Sequence, residues 1–504
     1  MPKSSPSLAP RESLLYLSGE TQAMDRYLIE QHGVSGFTLM SRAARATFDV
    51  IQQYAEGRRS LMLICGGGNN GADGLLVAWL AAQKGWQVQC SLIADIERLE
   101  HDRARAYNLC VEANIEFVSL PQAPLGPDWI VVDALLGIGW QGPVREQQRT
   151  VIEWINECVG PVIAVDMPSG LSANTGAALP IAVKASVTVT FITLKLGLLT
   201  HDGPDHAGFI VFNDLGVDDA IYRSHKACAE RLDLDVVRQA LPARRRNSHK
   251  GLFGRVLVVG GDHGLGGAAL MAAEASLASG AGLTSLATRV SHVSAALARI
   301  PEVMTQGITN RHKLTDLLPT QSVIVVGPGL GTSAWSQQLL QVTLESDSPL
   351  VLDADALNLL AQLGWTERIA TRTAPTVITP HPGEASRLLG ITSREVQDDR
   401  LQAALSLQQQ LGAIVVLKGC GTLIAHAEGV FLSDYGNPGM ASGGMGDILS
   451  GIIGAMMGQI SDPLMAVSVA VCLHGAAADK ASERGQIGLR ATDLLPCIRD
   501  LLND

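Results

Sequence analysis

The stretch Asn437-Pro-Gly-Met-Ala-Ser-Gly-Gly-Met-Gly-Asp447 runs straight into Ile448-Leu-Ser-Gly-Ile-Ile453, so a glycine-rich turn leads to an acid and then to an apolar helix. Such a turn aims backbone N–H groups at an anion, and the helix N-terminus behind it adds partial positive charge. An aspartate suits phosphate binding poorly, because it repels the phosphate. It suits a base that takes the proton from a hydroxyl about to be phosphorylated. Asp447 is therefore a catalytic candidate, and the stretch points to phosphoryl transfer onto a small molecule.

The 504-residue chain is long enough for two or three domains. Hydrophobic residues make up 47 % and aromatics only 4 %, an aliphatic balance that fits parallel sheets covered by helices. The net charge of −11 argues against nucleic acid as a partner. The basic run Arg244-Arg245-Arg246 with Lys250 reads as a solvated linker. The eight cysteines are scattered without a CxxC pair, which fits free thiols in a reducing cytoplasm. No signal-peptide pattern follows Met1, and the apolar stretch 466–472 is expected to be too short to span a bilayer. A cytoplasmic protein with no membrane partner is the expectation.

Strand-like runs recur at 61–65, 87–93, 116–120, 129–133, 162–166, 186–191 and 209–212, with helical patterns between most of them. Residues 218–248 are polar and lack a clear strand. Strands resume at 255–259, 284–287, 323–326, 350–352, 376–379 and 414–418, and apolar helices at 446–457 and 463–482 close the chain. Strands alternating with helices predict βαβ units and mostly parallel sheets. We expect two different three-layer α/β domains in series, 1–228 and 229–504.

In the first half, Cys65-Gly-Gly-Gly-Asn-Asn-Gly-Ala-Asp-Gly74 follows a strand and precedes the helix expected over 75–84. It is neither a Walker loop nor GxGxxG, and glycines there let a phosphate approach the backbone. Val131-Val-Asp133 runs into a glycine turn through Gly137 and Gly139 to Gly142 and Pro143, and Ala164-Val-Asp166-Met-Pro-Ser169 ends another strand. In an open α/β sheet such strand ends converge on one crevice. Oxygens of Asn70, Asp133 and Ser169 would then suit a hard cation, leaving Asp166 to face the ligand. Each aspartate alone also reads as a helix cap. Lys195, after another strand, reads equally as a surface lysine.

These motifs in this order closely resemble the NAD(P)H-hydrate epimerase domain over residues 15–225. The resemblance implies a Rossmann-like fold that interconverts the R and S forms of hydrated NADH and NADPH with bound potassium. It implies substrate contacts from Asn69, Asn70, Gly71, Ala72 and Asp73, from Gly137, Ile138, Gly139, Trp140, Gln141, Gly142 and Pro143, and from Asp166, the acid/base candidate. It implies potassium ligands at Asn70, Asp133 and Ser169. Ala72 stands where the family carries glycine, and Ser41 stands where it carries glutamate.

In the second half, Gly264-Leu-Gly-Gly-Ala-Ala269 opens a helix, and Val326-Gly-Pro-Gly-Leu-Gly331 ends a strand. Leu352-Asp-Ala-Asp-Ala-Leu-Asn358 puts two acids and an amide at a strand end, which also fits capping and surface positions. Thr379-Pro-His381-Pro-Gly-Glu384 is a rigid turn, and Lys418-Gly-Cys-Gly-Thr422 sets glycines after a strand. From Lys250 onward this set resembles the ADP- or ATP-dependent NAD(P)H-hydrate dehydratases, which are ribokinase-like. The resemblance implies hydrate contacts from Ala268, Gly331, His381 and Asp447. It implies adenine-nucleotide contacts from Lys418, Gly419, Cys420, Gly421, Thr422 and Gly446.

The fused layout resembles bifunctional repair enzymes that use ADP. It implies epimerisation in the first domain and, in the second, dehydration of the S form to NAD(P)H with magnesium, giving AMP and phosphate. The expected partners are small molecules, and a homo-oligomer is expected. The alternative is a ribokinase-like vitamin kinase with a non-catalytic, dinucleotide-sensing N-terminal domain.

Overall fold

A computed structural model describes residues 11–504 apart from residue 141. The chain divides into two compact units, the first ending at Glu230 and the second running from Arg231 to Asp504.

The first unit carries α1 (Ser18–Gln31), α2 (Gly36–Tyr54), β1 (Ser60–Gly66), α3 (Asn69–Gln83), β2 (Gln87–Ile93), α4 (His101–Glu112), β3 (Glu116–Phe117) and β4 (Trp129–Ala134). It continues with α5 (Glu146–Glu157), β5 (Val162–Val165), β6 (Val187–Phe191) and β7 (Phe209–Asn213). The aliphatic runs are buried along almost their whole length, as strands covered on both faces must be. The seven strands pair in parallel in the order β3-β2-β1-β4-β5-β6-β7. This order reverses between β1 and β4, and a doubly wound sheet opens its ligand crevice at that switch point.

Two sequence expectations change here. The helix expected over 75–84 starts six residues earlier, at Asn69, so the Asn-Asn-Gly-Ala-Asp run forms its first turns and not a loop. A Cβ on Gly71 would sit 1.8 Å from the Gly66 carbonyl oxygen, so the missing side chain lets this turn lie against the end of β1. That close packing outweighs glycine's poor helix propensity. The region 218–248 also contains a short strand, Ala229–Arg231, whose residues Ala229 and Glu230 pair antiparallel with Leu15 and Leu14. Three residues give too short a pattern to register.

The second unit carries β8 (Arg255–Val259), α6 (Gly266–Ala278), β9 (Leu283–Thr288), β10 (Met304–Gly307), β11 (Val323–Val326), α7 (Ala334–Leu344), β12 (Leu350–Leu352) and α8 (Asp355–Leu363). Then come β13 (Thr376–Ile378), α9 (Pro382–Leu389), α10 (Arg400–Leu411), β14 (Ile414–Leu417), β15 (Thr422–His426), β16 (Gly429–Ser433), α11 (Met445–Gln459), α12 (Pro463–Ser482) and α13 (Leu494–Leu501). Its strands run β10-β9-β8-β11-β12-β13-β14-β15-β16, parallel as far as β14 and then turning back as the β15–β16 hairpin. The sequence pattern missed β10, β15 and β16. β10 is an edge strand that stays partly open to solvent, and the hairpin strands are short apolar runs beside a glycine turn.

The stretch 466–472 lies inside α12, which at 20 residues is long and apolar enough to cross a membrane. This corrects the expectation from length. Most of α12 is instead buried, and Ala466 to Leu473 belong to the apolar core of this unit. Small residues seat α11 in that core: a Cβ on Gly451 would lie 2.1 Å from the Ala272 carbonyl oxygen on α6. Helix propensity alone would make Gly451→Ala stabilising by about 1 kcal/mol. We expect the reverse, a loss of roughly 1–3 kcal/mol from overpacking, read as a lowered midpoint in thermal or urea unfolding of the full chain.

Candidate active sites

In the first unit the ends of β1, β4 and β5 and the start of α3 surround a cavity of about 620 Å³. Asn69, Asn70, Asp73, Gly137, Ile138, Gly139, Trp140 and Asp166 line it. Gly71 and Ala72 are buried in the first turns of α3, and Gly142 and Pro143 are exposed; none of the four forms part of the cavity wall. Gln141 lies outside the described residues. Close backbone approach explains Gly137, where a Cβ would meet the Asn70 Cβ at 2.9 Å.

Asp166 has φ 65°, a left-handed conformation uncommon for a residue with a side chain. Strain of this kind collects at functional sites. Its carboxylate accepts from Lys195 Nζ, from Thr190 Oγ1 at 3.2 Å and from the Phe191 N–H at 3.3 Å. Lys195 is only 1 % exposed, so it is no surface lysine. It also donates to Thr190 Oγ1 and to the Phe191 carbonyl.

Asn70, Asp133 and Ser169 meet on the peptide of Leu135–Leu136. Asn70 Nδ2 donates to the Leu136 carbonyl at 2.9 Å, the Leu136 N–H donates to Ser169 Oγ at 2.8 Å, and the Leu135 N–H donates to Asp133 Oδ1 at 3.2 Å. Ser169 donates to Asp133 through both N–H and Oγ. Asp133 is fully buried, and among the described residues no cationic side chain pairs with it. Burial pushes its carboxyl up to about 6, against the Ser169 hydrogen bonds that pull it down. The buried Asn70 Oδ1 has no hydrogen-bond partner. An anion without a counter-charge and an orphaned oxygen fit a hard cation.

In the second unit, Asp353, Thr379 and Lys418 follow directly on β12, β13 and β14, and Asp447 lies in the first turn of α11 behind Gly444, whose φ is 95°. Lys418 Nζ donates to Asp353 Oδ1 at 2.8 Å and lies 3.8 Å from Glu384 Oε2. Asp353 also accepts from Thr379 Oγ1 at 2.7 Å and Ser450 Oγ at 2.6 Å. A Cβ on Gly446 would come within 3.2 Å of Lys418 Nζ, so that glycine keeps the helix start close to the lysine. Burial pushes the Asp447 carboxyl up to about 7, the charge of Asp353 adds to this, and Lys418 opposes it.

The Lys418 ammonium is thus committed to acids, and what this residue offers the glycine turn is its backbone. That turn is held from behind by Arg400, 1 % exposed, whose guanidinium donates to the carbonyls of Leu417, Lys418 and Gly421. No sequence signal marked Arg400, since an arginine opening a helix reads as a solvated charge. Cys420 is exposed on the turn, and Thr422 Oγ1 donates to the Gly419 carbonyl. The side chain of His381 is half exposed, and its Nδ1 caps α9 by accepting from the Gly383 N–H.

Ala268 and Gly331 lie by the switch between β8 and β11, where the Gly331 N–H donates to Asp355 Oδ2 at 2.8 Å. Sequence reading also missed Asp262 beside them. It accepts from Arg289 Nε at 2.7 Å and Ser333 Oγ at 2.7 Å, and Arg289 stacks on Trp335. Burial would raise the Asp262 carboxyl, but these hydrogen bonds outweigh it and hold it at about 2.

Comparison with known proteins gives a family to each half. Residues 36–197 match the family described as YjeF-related protein N-terminus, and residues 256–499 match NAD(P)H-hydrate dehydratase. Over 97 % of its length the chain is 42 % identical to the bifunctional NAD(P)H-hydrate repair enzyme of Coxiella burnetii, covering all of that protein. The chain belongs to the bifunctional NAD(P)H-hydrate repair enzyme family. It is 40 % identical to the Escherichia coli member over 96 % of this chain and 92 % of that one. A ribokinase-like superfamily protein from Enterococcus faecalis, 33 % identical, superposes with a TM-score of 0.50 over 54 % of this chain and 95 % of its own. The chain is therefore a two-function enzyme, and the vitamin-kinase alternative is not favoured, because repair-enzyme relatives match it through both halves.

In this repair-enzyme family member, Asp353→Asn is expected to destabilise the second unit by on the order of 3 kcal/mol, because it leaves the Lys418 ammonium in the site without its nearest carboxylate. Urea unfolding of the full chain measures it.

Proposed function

We propose that the first site interconverts the R and S forms of hydrated NADH and NADPH, and that the second uses ADP to return the S form to NAD(P)H. The observation that carries the dehydratase assignment is the Asp447 carboxyl. It is half-buried at a helix N-terminus beside Lys418 and Asp353, with its proton affinity raised to about 7. A base works best when its pKa lies near the working pH.

The water added at C6 of the nicotinamide ring leaves a hydroxyl, a poor leaving group. Asp447 takes its proton, and the oxygen attacks the terminal phosphoryl of ADP, releasing AMP. The C6–O bond then breaks as the N1 lone pair expels phosphate, and loss of the C5 proton closes the C5=C6 double bond. N–H groups of the Gly443–Gly446 turn hold the transferring phosphoryl oxygens. Magnesium would supply charge neutralisation at those phosphates. The Gly419–Thr422 turn, braced by Arg400, receives the adenine nucleotide, and Ala268, Gly331 and His381 bound the hydrate.

In the first site Asp166 faces the hydrated ring, and the cavity-lining residues Asn69, Asn70, Asp73, Gly137, Ile138, Gly139 and Trp140 hold the dinucleotide. Potassium would be held by Asn70 Oδ1, Asp133 and Ser169, where it supplies positive charge behind the cavity wall.

The test follows AMP and phosphate release from the S form with ADP and magnesium. Asp447 acts when ionised, so the rate should rise with pH through about 7 and level off above it. Asp447→Asn should lose ~10²–10⁴-fold in kcat while R/S interconversion persists. A pH-independent rate, or full activity of Asp447→Asn, would contradict the assignment.

A further inference from the structure

The wall of the first cavity carries three carboxyl groups, Asp25, Asp73 and Asp166, against a single cationic side chain, Lys195, among the described residues. Lys195 spends its charge on Asp166. Burial raises the proton affinity of Asp25 and Asp73, and the mutual repulsion of three carboxylates crowded in a half-enclosed site against one ammonium adds to this. The Asp73 carboxyl is raised by burial well above the ordinary carboxylate range, so of the two it releases a proton less readily.

Asp25 differs. It lies on α1 between the buried residues Met24 and Leu28. One turn earlier, Thr21 Oγ1 shares a 2.7 Å hydrogen bond with Thr193 Oγ1, in the segment that carries Lys195. This bond and the buried Met24 and Leu28 fix the helix, and Asp25 sits on the cavity wall. Among the described residues no group hydrogen bonds to its carboxyl. The charges acting on it are Lys195, Asp166 and Arg26 of its own helix, and burial pushes its carboxyl up to about 6.

We propose that Asp25 is a further catalytic residue of the first site, the acid that works with Asp166 to exchange the C6 hydroxyl between the two faces of the ring. This rests on the epimerase reading of that site. Asp25 gives its proton to the C6 hydroxyl, the N1 lone pair forms an N1=C6 bond as the C6–O bond breaks, and water leaves. Water then adds to C6 from the other face, and the proton it sheds goes to the Asp166 carboxylate. The reverse direction uses the two groups in the opposite order, and solvent returns the proton between them. One water leaves and one returns, so nothing is oxidised or reduced.

The experiment measures R/S interconversion of NADH-hydrate by the full-length protein without ADP, separating the two forms by chromatography. Asp25→Asn should lower kcat by ~10²–10⁴-fold with KM within a few-fold. It should also flatten the alkaline limb of the pH profile, where wild-type Asp25 loses its proton. Thermal unfolding of the full chain, read beside ADP-dependent dehydration of the S form on the same preparation, reports that both units are folded. A variant within about threefold of wild type, or one whose loss lies wholly in KM, overturns the proposal. If Asp25→Asn does not fold, Asp25→Glu carries the test: reduced kcat with a displaced alkaline limb supports it, and an unchanged rate and profile overturn it. A wild-type protein that does not interconvert the forms overturns the epimerase reading as well, whereas an active wild type with an equally active Asp25→Asn overturns this inference alone.

Discussion

A lysine outnumbered by carboxyl groups organises each site. In the first unit Lys195 binds Asp166 while Asp25 and Asp73 share the same cavity. In the second, Lys418 binds Asp353 while Glu384 and Asp447 crowd the same field. One ammonium in a partly dehydrated space stabilises its nearest carboxylate and leaves the next with raised proton affinity. Each site thereby sets a lysine-paired carboxyl group beside one of raised proton affinity, which is what moving a hydroxyl or activating it requires. Remove either lysine and the remaining acids repel one another in a space that water reaches poorly.

The sheets make this crowding possible. All the parallel strands of a unit point their carboxyl ends the same way, so residues far apart in sequence arrive at one edge. Asp133, Asp166 and Lys195 do so in the first unit, and Asp353, Thr379 and Lys418 in the second. The glycines at these edges serve close approach: Gly71 lets α3 start against β1, and Gly446 lets α11 start against Lys418. The aliphatic strands, buried on both faces, supply the rigid frame that keeps like charges from spreading apart.

Much of this could be read from the chain alone, for physical reasons. Runs such as Leu61–Cys65 and Val323–Val326 announce buried parallel strands because nothing polar interrupts them. The turn before Asp447 announces its chemistry because an acid behind a glycine-rich anion loop has few other uses. What stayed hidden has no local pattern. Arg400 and Asp25 each look like an ordinary polar residue on a helix, and only the fold shows that one is buried under a glycine turn and the other set on a cavity wall. Lys418 was legible as a residue after a strand, but not the direction of its ammonium, which depends on Asp353 arriving from 65 residues away. The early start of α3 was hidden because Asn-Asn-Gly-Ala-Asp carries loop-like propensities that tertiary packing overrides.

The central claim is that one chain completes a repair needing two different sites, and the measurement that tests it most directly starts from the pure R form of NADH-hydrate. With ADP, magnesium and potassium, recovery of NADH absorbance by the wild-type protein should run to completion. Asp166→Asn should stall at the uncatalysed rate of interconversion, Asp447→Asn should recover NADH ~10²–10⁴-fold more slowly, and mixing the two variants should restore full recovery. Recovery by Asp166→Asn at the wild-type rate, or no recovery by the wild type, would contradict the account.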